Sequence, residues 1–250
     1  MYNLIASELF KIRKSKVTYV IGCVFIALAI LEVVVYSSFA GMQDVAEYAT
    51  GIDGLLTPLE GDLSYLIICI FITIIVGQDF STGSIRQIIG KGTSKGRYIL
   101  AKYIAMVCVS AIFLLLFSLI DFAAFSVLGG IGEWNLHIVK HFLIFLVGAF
   151  SMILGYTAIT EFICILFRKN TVTIPVNLML ILVGGITAEV LSFLTQNEIF
   201  IKYWLPSMSA SFGDFDLQFG EKIIYIFIFL TIAVAFSAMS VWVFEKKDID

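Results

Sequence analysis

The segment Gly90–Arg97 reads GKGTSKGR and combines glycine, lysine and hydroxyl residues, as phosphate-binding loops do. Such a loop requires G-x-x-x-x-G-K-[ST] directly after a β-strand, because its backbone N–H groups and its lysine hold the phosphates. If the pattern begins at Gly90, Lys95 occupies the position of its second glycine and Gly96 occupies the position of its lysine, so the pattern does not match. An apolar run, rather than a strand pattern, precedes the segment. The sequence therefore predicts that this chain binds no nucleotide and has no cofactor of its own.

Acidic residues inside apolar segments form a second group that could do chemistry: Glu32, Asp121 and Glu161. Ionisable side chains within a membrane are costly and often mark ion or proton pathways. A proton pathway requires several such groups facing one cavity, whereas these three lie at different depths of different segments. Glu161 lies about two helical turns from Arg168. The pattern favours structural pairing or exposure at the membrane interface over a proton pathway.

Metal and enzyme patterns are weak in this sequence. His137 and His141 are four residues apart, a spacing that can bind zinc on a helix, but no third ligand lies near them in the sequence. The four cysteines each fall inside an apolar run and form no C-x-x-C pair, which is typical of buried thiols rather than of disulfides or metal ligands. The sequence predicts neither a metal site nor an enzyme.

The composition places these residues in a membrane protein. Hydrophobic residues make up 60% of the chain and charged residues 14%, whereas a soluble domain has roughly 25% charged residues. Because so few polar residues cannot cover a globule in water, the chain is predicted to be an integral membrane protein. The sequence contains no long soluble stretch that could form a catalytic domain. We therefore expect one transmembrane domain over residues 1–250.

Six apolar segments are candidate membrane spans, since a helix needs about 20 apolar residues to cross the hydrocarbon core. They are Val17–Tyr36, Leu63–Val76 with its flanks, Tyr103–Leu128, His141–Phe167, Thr171–Leu194 and Lys222–Phe244. The predicted fold is an all-α integral membrane protein with six transmembrane helices.

The distribution of basic residues predicts the orientation of these spans. Six spans put both termini on one side, and that side holds 13 of the 16 lysines and arginines. They lie near the two termini, between spans two and three, and between spans four and five. Because positively charged loops remain in the cytoplasm, we predict a multi-pass plasma-membrane protein with cytoplasmic amino and carboxyl termini.

Three segments are predicted to lie beside the spans. Ser37–Asp62 is polar and loop-like. Residues 195–221, an extracellular segment in this orientation, are semi-apolar and contain Trp204 and Pro206. They predict either short helices at the outer interface or an ordinary loop with interfacial aromatic residues. Residues 1–16 place apolar residues near helical spacing with lysines trailing, which predicts a helix on the cytoplasmic leaflet; the alternative is a frayed basic tail.

The cytoplasmic loop of residues 78–102 is polar and basic. Phe80–Ile89 is predicted to be helical with one apolar face, and the glycines that follow supply a turn. Such a helix offers a face that a soluble partner could grip. A loop that only anchors topology and contacts anionic lipid headgroups is the alternative. The residues themselves leave both interpretations open.

The same loop carries a family resemblance. It reads DFSTGSIRQII over Asp79–Ile89 and TSKGRYILAK over Thr93–Lys102. Together with the basic amphipathic amino end and the six spans, it resembles the ABC-2 type permease family, the membrane subunits of a class of ATP-binding-cassette transporters. The length of the chain is most similar to that of the small permeases of peptide-antibiotic immunity and peptide-export systems.

The resemblance implies one half of an exporter. A separate ATPase subunit would bind ATP and Mg²⁺, and a second permease subunit, identical or paralogous, would complete the translocation path in the bilayer. The loop helix would be the coupling helix on which the ATPase acts. The implied contact residues are Asp79, Phe80, Thr82, Gly83, Ile85 and Arg86. Trp204 and Pro206 would help to shape an outer gate. The implied cargo is an amphipathic or antimicrobial peptide or another hydrophobic compound, and no nucleic acid is involved.

Two other classes of function remain as alternatives. A self-contained secondary transporter or channel would show ion dependence and coupled roles for Asp121 and Glu161. A membrane scaffold or sensor would transport nothing. An ATPase gene beside that of this chain would favour the permease.

Overall fold

The computed structural model describes residues 1–39, 50–60, 62–132, 136–212 and 217–246, and within these ranges it contains helices and no strand. The helices of the described residues are α1 (Tyr2–Lys14), α2 (Lys16–Phe39), α3 (Gly51–Glu60), α4 (Asp62–Ser81), α5 (Ser84–Gly90), α6 (Lys95–Gly129), α7 (Leu136–Phe167), α8 (Asn170–Thr195), α9 (Ile199–Lys202), α10 (Leu205–Ser211) and α11 (Phe219–Lys246).

Six of these helices are long and apolar enough to cross a membrane: α2, α4, α6, α7, α8 and α11. The predicted all-α fold with six transmembrane helices is therefore confirmed. An even number of spans would place the start of α1 and the end of α11 on one side of the membrane. That arrangement, and the assignment of this side to the cytoplasm, stay predictions.

The helices extend beyond the apolar runs that predicted them. The third span begins at Lys95, two turns before Tyr103, and the second ends at Ser81 rather than Val76. A hydropathy pattern marks where apolar residues face lipid, whereas a helix continues for as long as its backbone hydrogen bonds do. The loop between the two spans is therefore much shorter than its polar sequence suggests.

The centre of the bundle is formed by α4 and α7, which bury most of their residues. Tyr65 of α4 stacks on Tyr156 of α7 with ring centroids 5.0 Å apart, and Phe229 of α11 lies 5.9 Å from Tyr156. In contrast, α2 and α8 expose most of their apolar side chains. Helices with apolar residues all round need a lipid surrounding, which agrees with a membrane location.

The polar stretch Ser37–Asp62 is not simply a loop, contrary to expectation. Its second half forms α3, which packs along α6 and buries Ile52 and Leu56. These residues are four apart and so lie on one face of a helix, a pattern that the surrounding polar residues obscure. The helix therefore covers one side of the third span.

The two other peripheral segments also contain helices. The amino end forms α1, and residues 195–221 contain the short helices α9 and α10. Residues 213–216 of that segment lie outside the described residues. The location of these helices at the membrane interfaces stays a prediction.

Candidate functional site

The connection between the second and third spans is a short helix between two turns. Helix α4 ends at Ser81, and Gly83 then adopts a left-handed conformation with φ 64° before α5 begins. The sequence predicted one helix over Phe80–Ile89, which is wrong at its start because Phe80 belongs to α4. Glycine allows this break, since a residue with a Cβ atom is strained at such a φ.

The apolar face of α5 packs against its own chain. Ile85 is 3% exposed and forms a cluster with Tyr98 and Ile99 of α6, Ile165 of α7 and Phe244 of α11. Ile88 and Ile89 pack partly buried against this cluster. The face that the sequence offered to a soluble partner therefore attaches α5 to the ends of three spans.

The opposite face of α5 is exposed and basic. Thr82 and Arg86, both predicted contact residues, lie on this surface together with Gln87 and Lys91. Sequence reasoning missed Gln87 and Lys91 because it looked for a partner on the apolar face. Their positions relative to Ile85 and Ile88 could have placed them opposite that face.

Asp79 lies on the inner side of the same turn and is buried. Its Oδ2 accepts a hydrogen bond of 2.5 Å from the Tyr98 hydroxyl, and its Oδ1 accepts one of 2.9 Å from Ser84 Oγ. It also forms an ion pair with Lys102. In this arrangement Asp79 fixes the turn that leads into α5, while Thr82 and Arg86 remain accessible.

Lys102 extends this contact to the amino-terminal helix. Its Nζ lies 3.2 Å from Oε2 of Glu8, and both side chains are almost fully buried. The other carboxylate oxygen of Glu8 lies 2.5 Å from Nζ of Lys11. We call Glu8, Asp79, Tyr98 and Lys102 the ionic cluster. One signal in the sequence pointed to this cluster. Glu8 is an acid within the amphipathic amino-terminal helix, and Lys102 is a base at the edge of an apolar span.

Phe80 lines a small cavity beside α5. Its ring meets that of Phe244 edge to face at 6.3 Å, and the guanidinium carbon of Arg168 lies 5.9 Å from its centroid. The cavity measures about 160 Å³ and is lined by Asp79, Phe80, Gly83, Ile85, Arg86, Arg168 and Phe244. Five of the six residues predicted for the ATPase contact thus surround one pocket, although their contact with an ATPase stays a prediction.

The intramembrane acids do not meet in one place. Glu32 and Asp121 are close enough to interact electrostatically, although both carboxylate oxygens of Asp121 lack a hydrogen-bond partner in the part of the chain that the structure describes. Glu161 is fully buried, has no hydrogen-bond partner on either oxygen among the described residues, and interacts electrostatically with Lys102. Since Lys102 and Asp121 are 19 residues apart on α6, they are separated by about 28 Å. Glu161 therefore lies at the opposite end of the bundle from the other two.

Trp204 and Pro206 border a groove at the end of the bundle opposite α5. The groove measures about 520 Å³, and its lining is apolar except for Glu189 and Ser207. The indole of Trp204 lies directly on the backbone of Gly184 in α8, where no side chain intervenes. This contact fixes the start of α10 to the fifth span. The role of Trp204 and Pro206 as a gate stays a prediction.

A hydrogen bond of 2.7 Å from Lys202 to Glu221 ties α9 to the start of α11 at this end. This bond raises the pKa of Lys202 above its ordinary value. The contribution of Lys202 to stability is therefore present below the ordinary pKa of a lysine and is lost as the pH rises through the raised pKa.

Two further sequence patterns concern an enzyme and a metal site. The run Gly92–Gly96 matches G-x-S-x-G, which in hydrolases lies between a strand and a helix. Here it precedes a membrane helix, and the described residues contain no strand. Among the described residues no group of three or more His, Cys, Asp or Glu side chains could hold a metal ion. The side chains of His137 and His141 lie outside the described residues.

The fold and the loop define a multi-span α-helical membrane protein with a short, charged helix fixed at one end of its bundle. A family profile described as ABC-2 family transporter protein matches residues 4–184, which is more than half of the chain. The chain therefore belongs to the ABC-2 family of transporter proteins, as the loop sequence predicted. This family comprises transmembrane subunits of ATP-binding-cassette transporters, which are not themselves catalytic and imply an ATP-binding partner. No curated protein matches the sequence.

The family match includes the candidate site. It runs from α1 into α8 and so contains α5 and the whole ionic cluster. The helices α9, α10 and α11 lie outside the matched residues, as does most of the groove beside Trp204. The site at the α5 end is therefore the part of the structure most directly connected to the family assignment.

Proposed function

We propose that this chain is the permease subunit of an exporter, driven by ATP that a separate ATPase subunit hydrolyses. The observation that carries the proposal is the two-sided character of α5. Its exposed face presents Arg86 and Gln87, and the flanking turns add the exposed Thr82 and Lys91. Its buried face is attached to the ends of three spans. A second permease subunit, identical or paralogous, completes the path, and both termini are cytoplasmic.

The packing of α5 suits the transmission of force. A flexible loop would absorb a push from a partner, since its residues can move without moving the spans. Because Ile85 packs against Tyr98, Ile165 and Phe244, a displacement of α5 also displaces the ends of α6, α7 and α11. Packed elements of this kind move as units rather than deform continuously.

The test is co-purification of the permease with an ATP-binding-cassette ATPase, sought first among the products of neighbouring genes. Arg86→Glu reverses an exposed charge on α5 and is expected to remove the ATPase while the permease remains inserted in the membrane. Lys140→Glu makes the same kind of charge reversal at an exposed position that is predicted to face the outside, and it should leave the ATPase bound. If the Arg86 variant retains its partner and its transport, the assignment of α5 as the coupling helix is wrong.

Phe80→Asp is a less clean test than the exposed arginine. Because Phe80 packs against Phe244 and Arg168, an aspartate there would disturb the packing of the span ends as well as any contact with a partner. Loss of the ATPase from that variant would therefore have two explanations, whereas loss from Arg86→Glu has one.

For the cargo we propose an amphipathic peptide or a comparable hydrophobic compound. The groove of about 520 Å³ supports this class, since it combines an apolar lining with the carboxylate of Glu189, which suits an apolar molecule that carries a positive charge. Deletion of the gene is expected to lower tolerance to cationic antimicrobial peptides. Wild-type permease should restore tolerance, and the Arg86→Glu variant should not. Unchanged tolerance in the deletion strain would contradict this cargo.

The arrangement of acids favours an ATP-driven permease over an ion-coupled transporter. An ion-coupled mechanism joins its acidic residues in one cavity. Here Glu161 of α7 interacts with Lys102, which lies about 28 Å along α6 from Asp121. Transport that continued without the ATPase and followed an ion gradient would support the alternative.

A further inference from the structure

We propose that the ionic cluster makes the amino-terminal helix α1 part of the coupling unit, with Lys102 as the residue that positions it. This inference rests on the proposed function of α5 and adds a second moving element to it. Lys102 on α6 contacts both Glu8 on α1 and Asp79 at the end of α4. A movement of the α4–α5 turn is thereby passed to α1 as well as to the spans.

A continuous polar path joins the beginning of α5 to the surface of α1. Ser84, the first residue of α5, donates to Asp79, and Asp79 pairs with Lys102. Lys102 contacts Glu8, which in turn contacts Lys11 at the protein surface. These contacts connect residues 23 and 94 positions apart in the chain. No other described ion pair links elements so distant in sequence.

The burial of the cluster makes these contacts costly to break. Lys102 is 2% exposed and Glu8 is 1% exposed, so neither charge faces bulk solvent in this arrangement. A buried charge that loses its partner carries a large desolvation penalty. The three elements therefore keep their relative positions, or all of them rearrange together.

Helix α1 packs mainly along the third span, α6. Among its thirteen residues only Glu8 and Ile12 are buried, and Ile12 packs into the main core. The remaining side chains are exposed or partly exposed. Leu9 is partly buried and packs against the same core. Since Glu8 is the one buried charge among the described residues of α1, we expect α1 to follow the partners of that charge.

A small cavity adjoins the cluster and gives it room to rearrange. It measures about 50 Å³, and its lining is largely polar: Glu8, Lys11, Ile12, Ser15, Ile75, Gln78, Asp79 and Lys102. A polar space of this size can hold water. The ion pairs can therefore rearrange without exposing the apolar core, as a contact between moving helices requires.

The experiment is hydrogen–deuterium exchange of the permease in nanodiscs, with Glu8→Gln as the variant. Glutamine keeps the shape of the side chain and leaves Lys102 paired with Asp79. The first arm uses the permease alone and also includes Asp79→Asn, whose side chain contacts α6 and α5 but not α1. We expect both variants to exchange the amides of α1 roughly tenfold faster, since a hydrogen bond to a charged group is lost or weakened. The control Lys14→Gln, an exposed change on the same helix, should leave the exchange unchanged.

The second arm uses the complex with the ATPase, with and without ATP. In the wild type, ATP should change the exchange of α5 and α1 together. In Glu8→Gln the change at α5 should persist and that at α1 should disappear, which a merely stabilising contact would not produce. If Asp79→Asn leaves α1 unaffected in the first arm, or if α1 in Glu8→Gln still follows ATP, the inference is overturned. Failure of the ATPase to bind the wild type would refute the proposed function instead, while the first arm would still decide on the link to α1.

Discussion

At the scale of single residues, Lys102 is a full positive charge placed inside the third membrane helix and kept from water. Its ammonium group meets two carboxylates from two other helices, and the Tyr98 ring lies 5.9 Å away. Buried ion pairs add little net stability compared with a well-packed apolar core, but they are costly to break from one side. The cluster therefore specifies how three helices meet more than it strengthens the bundle.

Because removing one partner of a buried ion pair is costly, we make a prediction for Lys102→Met. This change leaves Glu8 and Asp79 buried without their shared cation, so the free energy of unfolding should fall by about 3–5 kcal/mol. Thermal unfolding of the purified permease measures the loss. Lys91→Met removes a lysine that is exposed in the same loop and should change the stability by less than about 0.5 kcal/mol. Equal stability of the two variants would show that the cluster carries no buried charge of this kind.

At the scale of helices, the contact between α8 and the start of α10 depends on the absence of a side chain at Gly184. A Cβ atom at Gly184 would overlap the ring of Trp204, whereas one at Gly185 would come no closer than 3.7 Å to its indole nitrogen. The two glycines are neighbours on the same helix, and only the first is needed for the contact. They form a natural matched pair of positions.

We expect Gly184→Ala to destabilise the protein by about 1–3 kcal/mol, because overpacking displaces the indole and the helix that follows it. Gly185→Ala meets only ordinary contact distances and gains helix propensity, so it should be neutral or stabilising by up to about 1 kcal/mol. Thermal unfolding gives the stability, and a shift of tryptophan emission reports the displaced ring. A larger effect at Gly185 would contradict the described packing.

The sequence predicts the membrane helices better than the connections between them. The six spans follow from apolar runs, because any helix in lipid must be apolar over its length. The break at Gly83 was not predicted, since glycine occurs both in helices and in turns and only its φ of 64° distinguishes them here. The pairing of Glu8 with Lys102 could not be predicted, because it joins residues 94 positions apart and depends on how the spans pack.

At the scale of the whole molecule, the unequal distribution of basic residues predicts the orientation. We expect a cysteine at Lys91 to face the cytoplasm and one at Lys140 to face the outside, since positive loops are retained inside. The measurement is labelling of intact cells with a membrane-impermeant maleimide after replacement of the four native cysteines. Lys140→Cys should react and Lys91→Cys should react only after lysis. The reverse pattern would invert the topology and move α5 out of reach of a cytoplasmic ATPase.

The distance in sequence between Glu8 and Lys102 also bears on how the protein is made. At a synthesis rate of roughly 5–20 residues per second, Lys102 leaves the ribosome about 5–19 seconds after Glu8. During that interval α1 has been synthesised, but Lys102, the buried partner of its carboxylate, has not. The contact between Glu8 and Lys102 therefore forms only after the third span has begun to emerge. An α1 without this contact would mark a nascent chain that has not yet reached its third span.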